Sequence, residues 1–440
     1  MNYNKFFTKA KEEGLEALEL SITKSSQLSF SLFKNEIDSY SISDSFVLSA
    51  RGIYNGKIGY ATSEKLDATT IDYIINNIKS NASVITSEDK QFIFKGSEKY
   101  HKKNVYNKKL DISSPQEKIA LVKELDARIK SLDSRIQEVE TSYQEEVEEV
   151  IMLNSYGLKL SSKQNYAVIY SSAVATDETG ETKNGYDIKL LTDLDELDIE
   201  KVANKVVEKT ISQFNSGPCA SGKYKVVLNP SCTSSLLSFF IGGLSSEEVQ
   251  KKSSLLIDKL NQKICSKKLT ILESPLTKNV FFRYFDDEGV ATSNKVLIKN
   301  GFLQTYLYNL KTAYKDHVQT TGNGYKGRTG IGIKAVNVSI KPGKLNEEQL
   351  IEKVHEGLYI TSLQGMHSGL NPQSGNFSLI AQGFMIRDGK LQEPVSLITV
   401  AGNLYSLFND VKEVGSNVEL QTNSYSVPSI YIKELQISGK

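Results

Sequence analysis

The chain has 440 residues, with 53 Lys and Arg residues against 52 Asp and Glu residues, so its formal net charge is +1. At about 150 residues per domain, this length predicts two or three domains. A composition of 39% hydrophobic and 24% charged residues excludes general disorder. The near-neutral charge argues against a dedicated nucleic-acid-binding protein, which usually carries a basic excess.

Targeting segments and covalent cross-links are not predicted. The charged residues 11–13 follow the amino terminus too closely for the apolar region of a signal peptide. The longest apolar stretch, residues 236–244, is about half of the ~20 residues that a membrane span requires. Cys219, Cys232 and Cys265 are odd in number and lack C-x-x-C spacing, which argues against a disulfide framework and a thiolate zinc site. We expect a cytoplasmic chain that contacts neither membrane nor nucleic acid directly.

The first half alternates between helical and strand periodicity. Asn55-Gly56 tolerates the positive φ of a type I′ turn and predicts a hairpin within a strand region over residues 15–60. Ser114 and Glu117 form a capping box around Pro115, which predicts the start of a long helix. Shorter helices are predicted over 2–13, 67–80 and 198–213, and a β-meander is predicted over 136–178.

The second half is predicted to be richer in strands. A helix is expected from Ser231 to Gly243, and another after Asn346, with Gln349 completing its cap and Gly357 ending it. The sequence therefore predicts an α+β fold with two domains. Residues 1–217 form a mixed α/β domain with a long helix and a β-meander, and residues 218–440 form a mostly antiparallel β domain.

Histidine-based chemistry finds little support among the four histidines. His355-Glu356 begins an H-E-x-x-H pattern, but Tyr359 stands where the second histidine is needed. We therefore expect His355 to lie in the last helical turn, where a cation is favoured by the helix dipole. No pair of histidines has ligand spacing. Serine-hydrolase elbows and phosphate-binding P-loops are also absent from the sequence.

Residues 285–292, here called the acidic turn, contain three consecutive carboxylates at Asp286, Asp287 and Glu288. Such a group can hold a hard cation or supply a general base. In an extended chain the side chains alternate, so all three cannot face one site. The default interpretation is a solvated turn closed by Gly289.

Four phrases resemble the TldD/PmbA family, whose PmbA members are also called TldE. The phrases are Ala50–Tyr60, Phe285–Thr292, Gly369–Ser378 with the following Gly383-Phe384, and Pro394–Leu404. The resemblance extends from about residue 15 to 415 of the chain. The order and spacing of the phrases make it specific.

The resemblance implies two different roles within the family. TldD-type chains are metallopeptidases with His-Glu-x-x-x-His on the helix after a Pro-ended strand, whereas PmbA-type chains lack this motif and pair with TldD. When the chain is aligned with this motif, Ser238 and Gly243 stand at the positions of the two histidine ligands, and Phe239 stands at the position of the glutamate. Glycine has no ligand atom, and phenylalanine cannot act as a base. The resemblance thus implies a PmbA/TldE-like chain with no catalytic residue, metal ligand or cofactor of its own, and zinc in a TldD-type partner.

The resemblance also implies the partner and the substrate class. We expect a heterodimer with a TldD-like subunit, a possible homodimer without it, and unfolded or small peptides as substrates, reached inside an enclosed cavity. Asp286, Asp287, Asn371 and Asn403 lie in the family phrases and are the candidates for shaping this cavity. The alternative for the two asparagines is that they are ordinary turn residues.

Three functions compete at this point. The first is the non-catalytic subunit of a heteromeric zinc peptidase that takes part in proteolysis. The second is a self-sufficient peptidase that uses the acidic turn. The third is a binding protein without hydrolytic chemistry, implied by the family's older label, modulator of DNA gyrase, and extending to toxin–antitoxin systems. The near-neutral charge predicts that any such effect proceeds through a protein.

Overall fold

A computed structural model of the chain describes residues 3–86, 89–327 and 330–440. Within these residues the α-helices are α1 (Asn4–Glu12), α2 (Thr70–Ser83), α3 (Lys108–Ile112), α4 (Pro115–Leu132), α5 (Ile199–Ile211), α6 (Pro230–Gly242), α7 (Ser246–Gln250), α8 (Leu310–Lys315), α9 (Glu347–Val354), α10 (Met366–Gly369) and α11 (Leu404–Asn409). The strands are β1 (Ala17–Phe33), β2 (Glu36–Tyr54), β3 (Lys57–Ser63), β4 (Ile136–Asn154), β5 (Lys159–Thr176), β6 (Thr182–Leu191), β7 (Gly222–Leu228), β8 (Ile271–Glu273), β9 (Lys295–Lys299), β10 (Phe302–Leu303), β11 (Gly324–Lys326), β12 (Ile331–Ile333), β13 (Val338–Ile340), β14 (Gly357–Gln364), β15 (Asn376–Arg387), β16 (Lys390–Asn403), β17 (Val411–Val414), β18 (Glu419–Leu420), β19 (Tyr425–Val427) and β20 (Ile430–Ser438).

The chain divides into two compact units. The first comprises Met1–Ile211, Lys278–Thr292 and Asn309–Lys326, and the second comprises Ser212–Thr277, Ser293–Tyr308 and Gly327–Lys440. The main division lies close to the predicted boundary at residue 217, but two short segments from the second half belong to the first unit. One of them carries the acidic turn. Asp286 and Asp287 therefore lie in the first unit, whereas Asn371 and Asn403 lie in the second.

The first unit is built on an antiparallel sheet with the strand order β3-β2-β1-β4-β5-β6. As predicted, Asn55 and Gly56 connect β2 to β3, and both have positive φ. The sheet carries α2 on one face, and Gly59 of β3 permits the close approach. A Cβ atom at this position would lie 2.0 Å from the carbonyl oxygen of Ile78 in α2.

Apolar side chains from this sheet and from two helices form a core in the first unit. Phe6 of α1, Leu20 and Ile22 of β1, and Ile74 and Ile78 of α2 are all fully buried in it. The alternation of strand side chains brings apolar residues to one face, and the three- and four-residue spacing does the same on the helices. Burial of this apolar surface is the main favourable contribution to folding.

The second unit contains two sheets. One has the order β16-β15-β14-β7-β20-β17, with β14 and β7 parallel and the other neighbouring strands antiparallel. Since β16 also pairs with β20, this sheet closes into a ring. The other sheet has the order β10-β9-β8-β13-β19-β18 and contains one parallel pair, β13 with β19. The predicted α+β fold, with a mostly antiparallel second half, is confirmed.

The helix starts follow the local sequence signals. Ser114 and Glu117 form the predicted capping box at α4, and Asn346 and Gln349 form the one at α9. The predicted end of α9 is wrong. The helix ends at Val354 with His355 as its C-cap at φ 65°, and Gly357 instead begins β14.

None of the helices in the described part of the chain is long and apolar enough to cross a membrane. The cytoplasmic location stays a prediction.

Candidate functional site

Helix α6 in the second unit carries the positions where the family resemblance expects metal ligands in TldD-type chains. Its start is fixed by Asn229, whose Oδ1 accepts the N–H of Cys232 at 2.8 Å and whose Nδ2 donates to the carbonyl of Thr361 at 3.0 Å. Pro230 occupies the first turn, where its missing N–H costs nothing. The helix is therefore anchored to β14 at its amino end.

The three aligned positions on α6 offer no metal-binding group. The hydroxyl of Ser238 donates to the carbonyl of Ser235 at 2.8 Å and is used inside the helix. Phe239 is half-buried and presents only a phenyl ring. Gly243 has no side chain and follows the last helical residue. The donor set does not fit zinc, which takes imidazole, thiolate and carboxylate ligands.

Tyr405 occupies the space beside Gly243. A Cβ atom at Gly243 would lie 2.9 Å from the hydroxyl oxygen of Tyr405. The tyrosine ring packs against Phe240 of α6 with 5.4 Å between ring centroids. Burial raises the pKa of Tyr405, so its hydroxyl stays neutral at physiological pH. A side chain at position 243 would have to move the hydroxyl end of Tyr405.

The same tyrosine contacts a second feature, the asparagine loop, defined as residues 370–376. A Cβ atom at Gly375 would lie 2.8 Å from Cδ2 of Tyr405, and Gly375 has a φ of 74°. Only a residue without a side chain fits this position comfortably. Tyr405 thus joins the carboxyl end of α6 to the asparagine loop, a connection that sequence reasoning missed.

Asn371 and Asn403 hold this loop through backbone hydrogen bonds. Asn371 Oδ1 accepts the N–H groups of Gln373 at 2.9 Å and Ser374 at 3.0 Å. Asn403 Oδ1 accepts the N–H of Tyr405 at 3.1 Å, and its Nδ2 donates to the carbonyl of Ser374 at 2.8 Å. Both predicted site residues contact the asparagine loop. Asn371 forms its turn, as the alternative interpretation expects, whereas Asn403 is the last residue of β16 and the N-cap of α11. Their part in a peptide cavity stays a prediction.

A groove of about 530 Å³ runs along the asparagine loop and the start of β15. Its walls are formed by Ser368, Gly369, Leu370, Asn371, Pro372, Gln373, Asn376, Phe377 and Ser378. The lining combines hydroxyl and amide groups with apolar surface from Leu370, Pro372 and Phe377, so it offers both hydrogen bonds and apolar contacts. Asn371 lines the groove directly, and Asn403 Nδ2 donates to Oδ1 of Asn376, another lining residue, at 3.0 Å.

The acidic turn of the first unit is not the solvated turn that the default interpretation gave. Asp286 and Glu288 are 2% and 4% exposed. Asp286 Oδ1 accepts the N–H groups of Glu288 at 2.9 Å and Val290 at 3.0 Å, and its Oδ2 accepts the N–H of Gly324 at 2.8 Å. Three backbone N–H groups donate to this carboxylate. These hydrogen bonds replace the water that the carboxylate loses on burial.

Asp287 has partners different from those of Asp286 and Glu288. It pairs with Arg283, and its Oδ2 accepts the N–H of Lys326 at 2.7 Å. Asp287 is half-buried. Both of its oxygens thus have partners within the first unit.

A buried charge cluster joins the acidic turn to the central sheet of the first unit; it comprises Glu19, Arg51, Asp286 and Glu288. Arg51 donates to Glu19 through Nε at 2.6 Å and through Nη2 at 3.2 Å, which makes a bidentate ion pair. Its Nη1 lies 3.6 Å from Oε1 of Glu288. Glu288 Oε2 accepts the N–H of Leu310 at 2.7 Å. Sequence reasoning missed the two members on β1 and β2.

Burial controls the protonation of this cluster. Burial, with a smaller effect of the nearby Glu288 charge, raises the pKa of Asp286 to about 7. Burial also raises the pKa values of Glu19 and Glu288, although Arg51 opposes the rise in both cases. A carboxylate with a pKa near 7 is suited to general-base chemistry. However, the oxygens of Asp286 already accept three backbone N–H groups, so the geometry favours a structural role.

His355, Glu356 and Asp388 form the group of potential metal ligands that the structure brings together within its described residues. One ligand atom from each lies within 4.8 Å of the others, and all three residues are exposed. Glu356 Oε1 accepts the N–H of Asp388 at 3.0 Å. Sequence reasoning gave His355 only a helix-capping role and did not place Asp388 beside it. Exposed groups of this kind are common without a metal, so it does not define the site.

Three models of one known family match successive parts of the chain. The PmbA/TldA metallopeptidase domain 1 matches residues 18–82, the central domain matches residues 108–214, and the C-terminal domain matches residues 221–439. The chain therefore belongs to the PmbA/TldD metallopeptidase family, as the sequence phrases predicted.

Individual relatives agree with this assignment. A metalloprotease PmbA homologue from Buchnera aphidicola is 30% identical over 65% of this chain, and the chain spans 62% of that relative's length. A solved structure from Thermotoga maritima, described as a proposed modulator of a DNA gyrase, is 29% identical, covers 99% of both chains and has a TM-score of 0.91. TldE from Thermococcus kodakarensis, at 24% identity and 99% coverage of both chains, shares the fold with a TM-score of 0.91.

Proposed function

We propose that this chain is the TldE/PmbA-like subunit of a heteromeric zinc peptidase that acts on unfolded or small peptides. A TldD-like partner would hold the zinc. The observation that carries the proposal is the lack of ligand groups at the three aligned positions on α6, since Ser238 is bonded within the helix, Phe239 offers only a ring and Gly243 has no side chain. A catalytic zinc site uses three protein ligands and a bound water. A chain of a metallopeptidase family without such ligands requires a hydrolytic centre from elsewhere.

The groove along the asparagine loop is the candidate peptide-binding element of this subunit. Its lining offers hydrogen-bond donors and acceptors to a main chain, beside an apolar part that can contact side chains. Asn371 lines the groove and holds the neighbouring turn. This chemistry suits extended peptides, whose backbone groups are free to bond.

The test is reconstitution with the TldD-like chain encoded in the same genome. Each chain is purified separately, and hydrolysis of an unfolded casein substrate is measured for each chain and for the mixture. We expect activity only in the mixture. A partner whose two motif histidines are replaced by Ala should bind this chain and give no activity. Full activity of either chain alone, or no gain on mixing when a complex forms, would contradict the proposal.

A binding role toward DNA gyrase is the second candidate, because the similar Thermotoga maritima structure is described as a proposed modulator of that enzyme. The net charge of +1 favours a protein contact over a DNA contact. Purified gyrase subunits passed over the immobilised chain provide the test. Retention of a subunit in the absence of DNA supports this role, and flow-through of both subunits counts against it.

A further inference from the structure

Strand β2 of the first unit has an open side along half of its length. β1 pairs with β2 from Ala17↔Ile53 to Phe33↔Glu36. On the opposite side, β3 pairs only with Leu48–Tyr54 of β2. Residues 36–47, here called the β2 edge, therefore have no strand on that side among the described residues. Their outward main-chain N–H and C=O groups are available to another strand.

The β2 edge is also uncovered by side chains or loops. Residues 36–45 are all exposed, ten in succession. Among them Ile37, Tyr40 and Ile42 are 47%, 45% and 63% exposed. Natural edges are usually shortened, covered, or protected by Lys or Pro. Here the protection consists of a bulge at Asp38, which has no partner between the pairs Ser31↔Ser39 and Leu32↔Ile37, and of the acidic side chains of the strand.

Beyond the bulge the two faces of the strand differ. Tyr40, Ile42 and Asp44 alternate onto one face, and the intervening positions from Ser39 to Ser45 are all serine. The first face offers an aromatic and an aliphatic contact for cross-strand neighbours, beside a carboxylate. On the serine face the side chains are small, so they leave room for the side chains of an added strand.

The charge of the β2 edge selects among possible occupants. It carries Glu36, Asp38 and Asp44, and no Lys or Arg occurs between Lys34 and Arg51. Glu36 lies 3.5 Å from Lys123, but its side chain is 84% exposed and remains largely solvated. A second copy of this chain would bring identical acidic charges to the same edge. Like charges on neighbouring strands are unfavourable, and opposite charges are favourable.

We propose that the β2 edge binds an unfolded peptide rich in Lys and Arg, which adds as a strand beside residues 39–47. Main-chain hydrogen bonds supply the binding energy, and the acidic side chains favour basic sequences. This site goes beyond the proposed peptidase role and does not depend on a partner subunit. Its test is therefore independent of reconstitution.

The probes are synthetic peptides with capped ends, as long as the segment Ser39–Val47. One alternates Lys with Val and Thr, the second replaces every Lys with Glu, and the third keeps Lys but replaces every Val with Pro. Binding to the full chain is measured by fluorescence anisotropy. We expect the basic peptide to bind about tenfold more tightly than the acidic peptide, and the proline peptide not to bind. Equal affinity for the basic and acidic peptides, or binding of the proline peptide, would overturn the proposal.

A charge-reversal variant locates the site. Asp38→Lys with Asp44→Lys changes two exposed positions and should reverse the preference toward the acidic peptide. The matched control is Glu12→Lys with Glu64→Lys, which makes the same change in net charge at exposed positions elsewhere in the first unit. This control should keep the basic preference. Loss of the preference in both variants would show a general charge effect and overturn the site. Dimerisation of the native chain that the same Asp variant abolishes would assign the edge to a second copy and equally overturn the proposal.

Discussion

The buried charge cluster of the first unit and the carboxyl end of α6 in the second unit differ in their polar side chains. In the cluster, Arg51 and three carboxylates are buried together and bonded to one another or to backbone N–H groups. At the end of α6, the positions that the family resemblance assigns to metal ligands carry a hydroxyl bonded within the helix, a phenyl ring and no side chain, and Tyr405 lies beside them. Buried charge thus serves the fold in the first unit, whereas an aromatic side chain packs the end of α6 in the second.

The largest expected effect comes from Arg51→Met, because it leaves Glu19 and Glu288 buried without a cation. Removing one partner from a buried ion pair costs about 3–5 kcal/mol of unfolding free energy. Urea denaturation followed by circular dichroism at neutral pH provides the measurement. The loss should shrink at lower pH, where protonated carboxylates no longer need the arginine.

An exposed ion pair supplies the control for this prediction. Arg128 donates to Glu200 at 2.7 Å and 2.9 Å, and the two side chains are 38% and 62% exposed. Because water screens this pair, Arg128→Met should lower the unfolding free energy far less than Arg51→Met. Similar small losses for both arginine variants would mean that the cluster does not stabilise the first unit.

Asp286→Asn tests the pH dependence of the same cluster. The folded chain holds a proton on Asp286 up to about pH 7, whereas the unfolded chain releases it near the ordinary value of 3.8. Unfolding therefore releases this proton between these values, and the unfolding free energy contributed by Asp286 falls as pH rises through that range. The variant should lose this slope and cost about 1–3 kcal/mol, because an amide N–H would face the N–H of Gly324. An unchanged slope across denaturation curves at several pH values would contradict the burial of this carboxyl.

Gly243→His probes the packing at the end of α6. The new side chain meets the hydroxyl of Tyr405, and such overpacking costs about 1–3 kcal/mol. Gly242→His is the matched control, since a Cβ atom at Gly242 meets nothing within 4 Å. Adding Tyr405→Ala should relieve part of the cost at position 243 and none at position 242. Equal thermal stability of the two histidine variants would show that Tyr405 does not restrict this position.

The smallest effect is expected at the asparagine loop. Asn403→Ala removes the side chain that accepts the N–H of Tyr405 at the start of α11, which should cost about 1 kcal/mol. Asn76→Ala within α2 is the control, because Asn76 is exposed and Ala favours the helix interior. Thermal melts of both variants make the comparison. A native melting temperature for Asn403→Ala would contradict its role in holding the loop.

Features that depend on neighbouring residues were predictable from sequence. The caps at Ser114 and Asn346 and the turn at Asn55-Gly56 rely on groups within a few positions of each other, and the structure confirms them. The family phrases likewise predicted the metallopeptidase family. Local patterns carry this information because hydrogen-bonding geometry in caps and turns is set by the adjacent backbone.

Features that depend on distant packing were not predictable. Local alternation indicated a solvated acidic turn, but Arg51 and Gly324 approach from remote parts of the sequence and bury it. Nothing near Gly243 indicates that Tyr405 fills the adjacent space. Long-range contacts of this kind follow from the assembled sheets and not from sequence periodicity. By contrast, the acidic character of the β2 edge is visible in the sequence, but its open side is visible only in the strand pairing.

Zinc analysis of the reconstituted pair tests the central claim most directly. Each chain and the complex, purified after exposure to excess zinc and gel filtration, are analysed by inductively coupled plasma mass spectrometry. The complex should contain about one zinc, bound by the TldD-like chain, and this chain alone should contain none. Replacing Ser238 with Ala should leave the zinc content of the complex unchanged. Stoichiometric zinc on this chain alone would contradict its assignment as the zinc-free subunit.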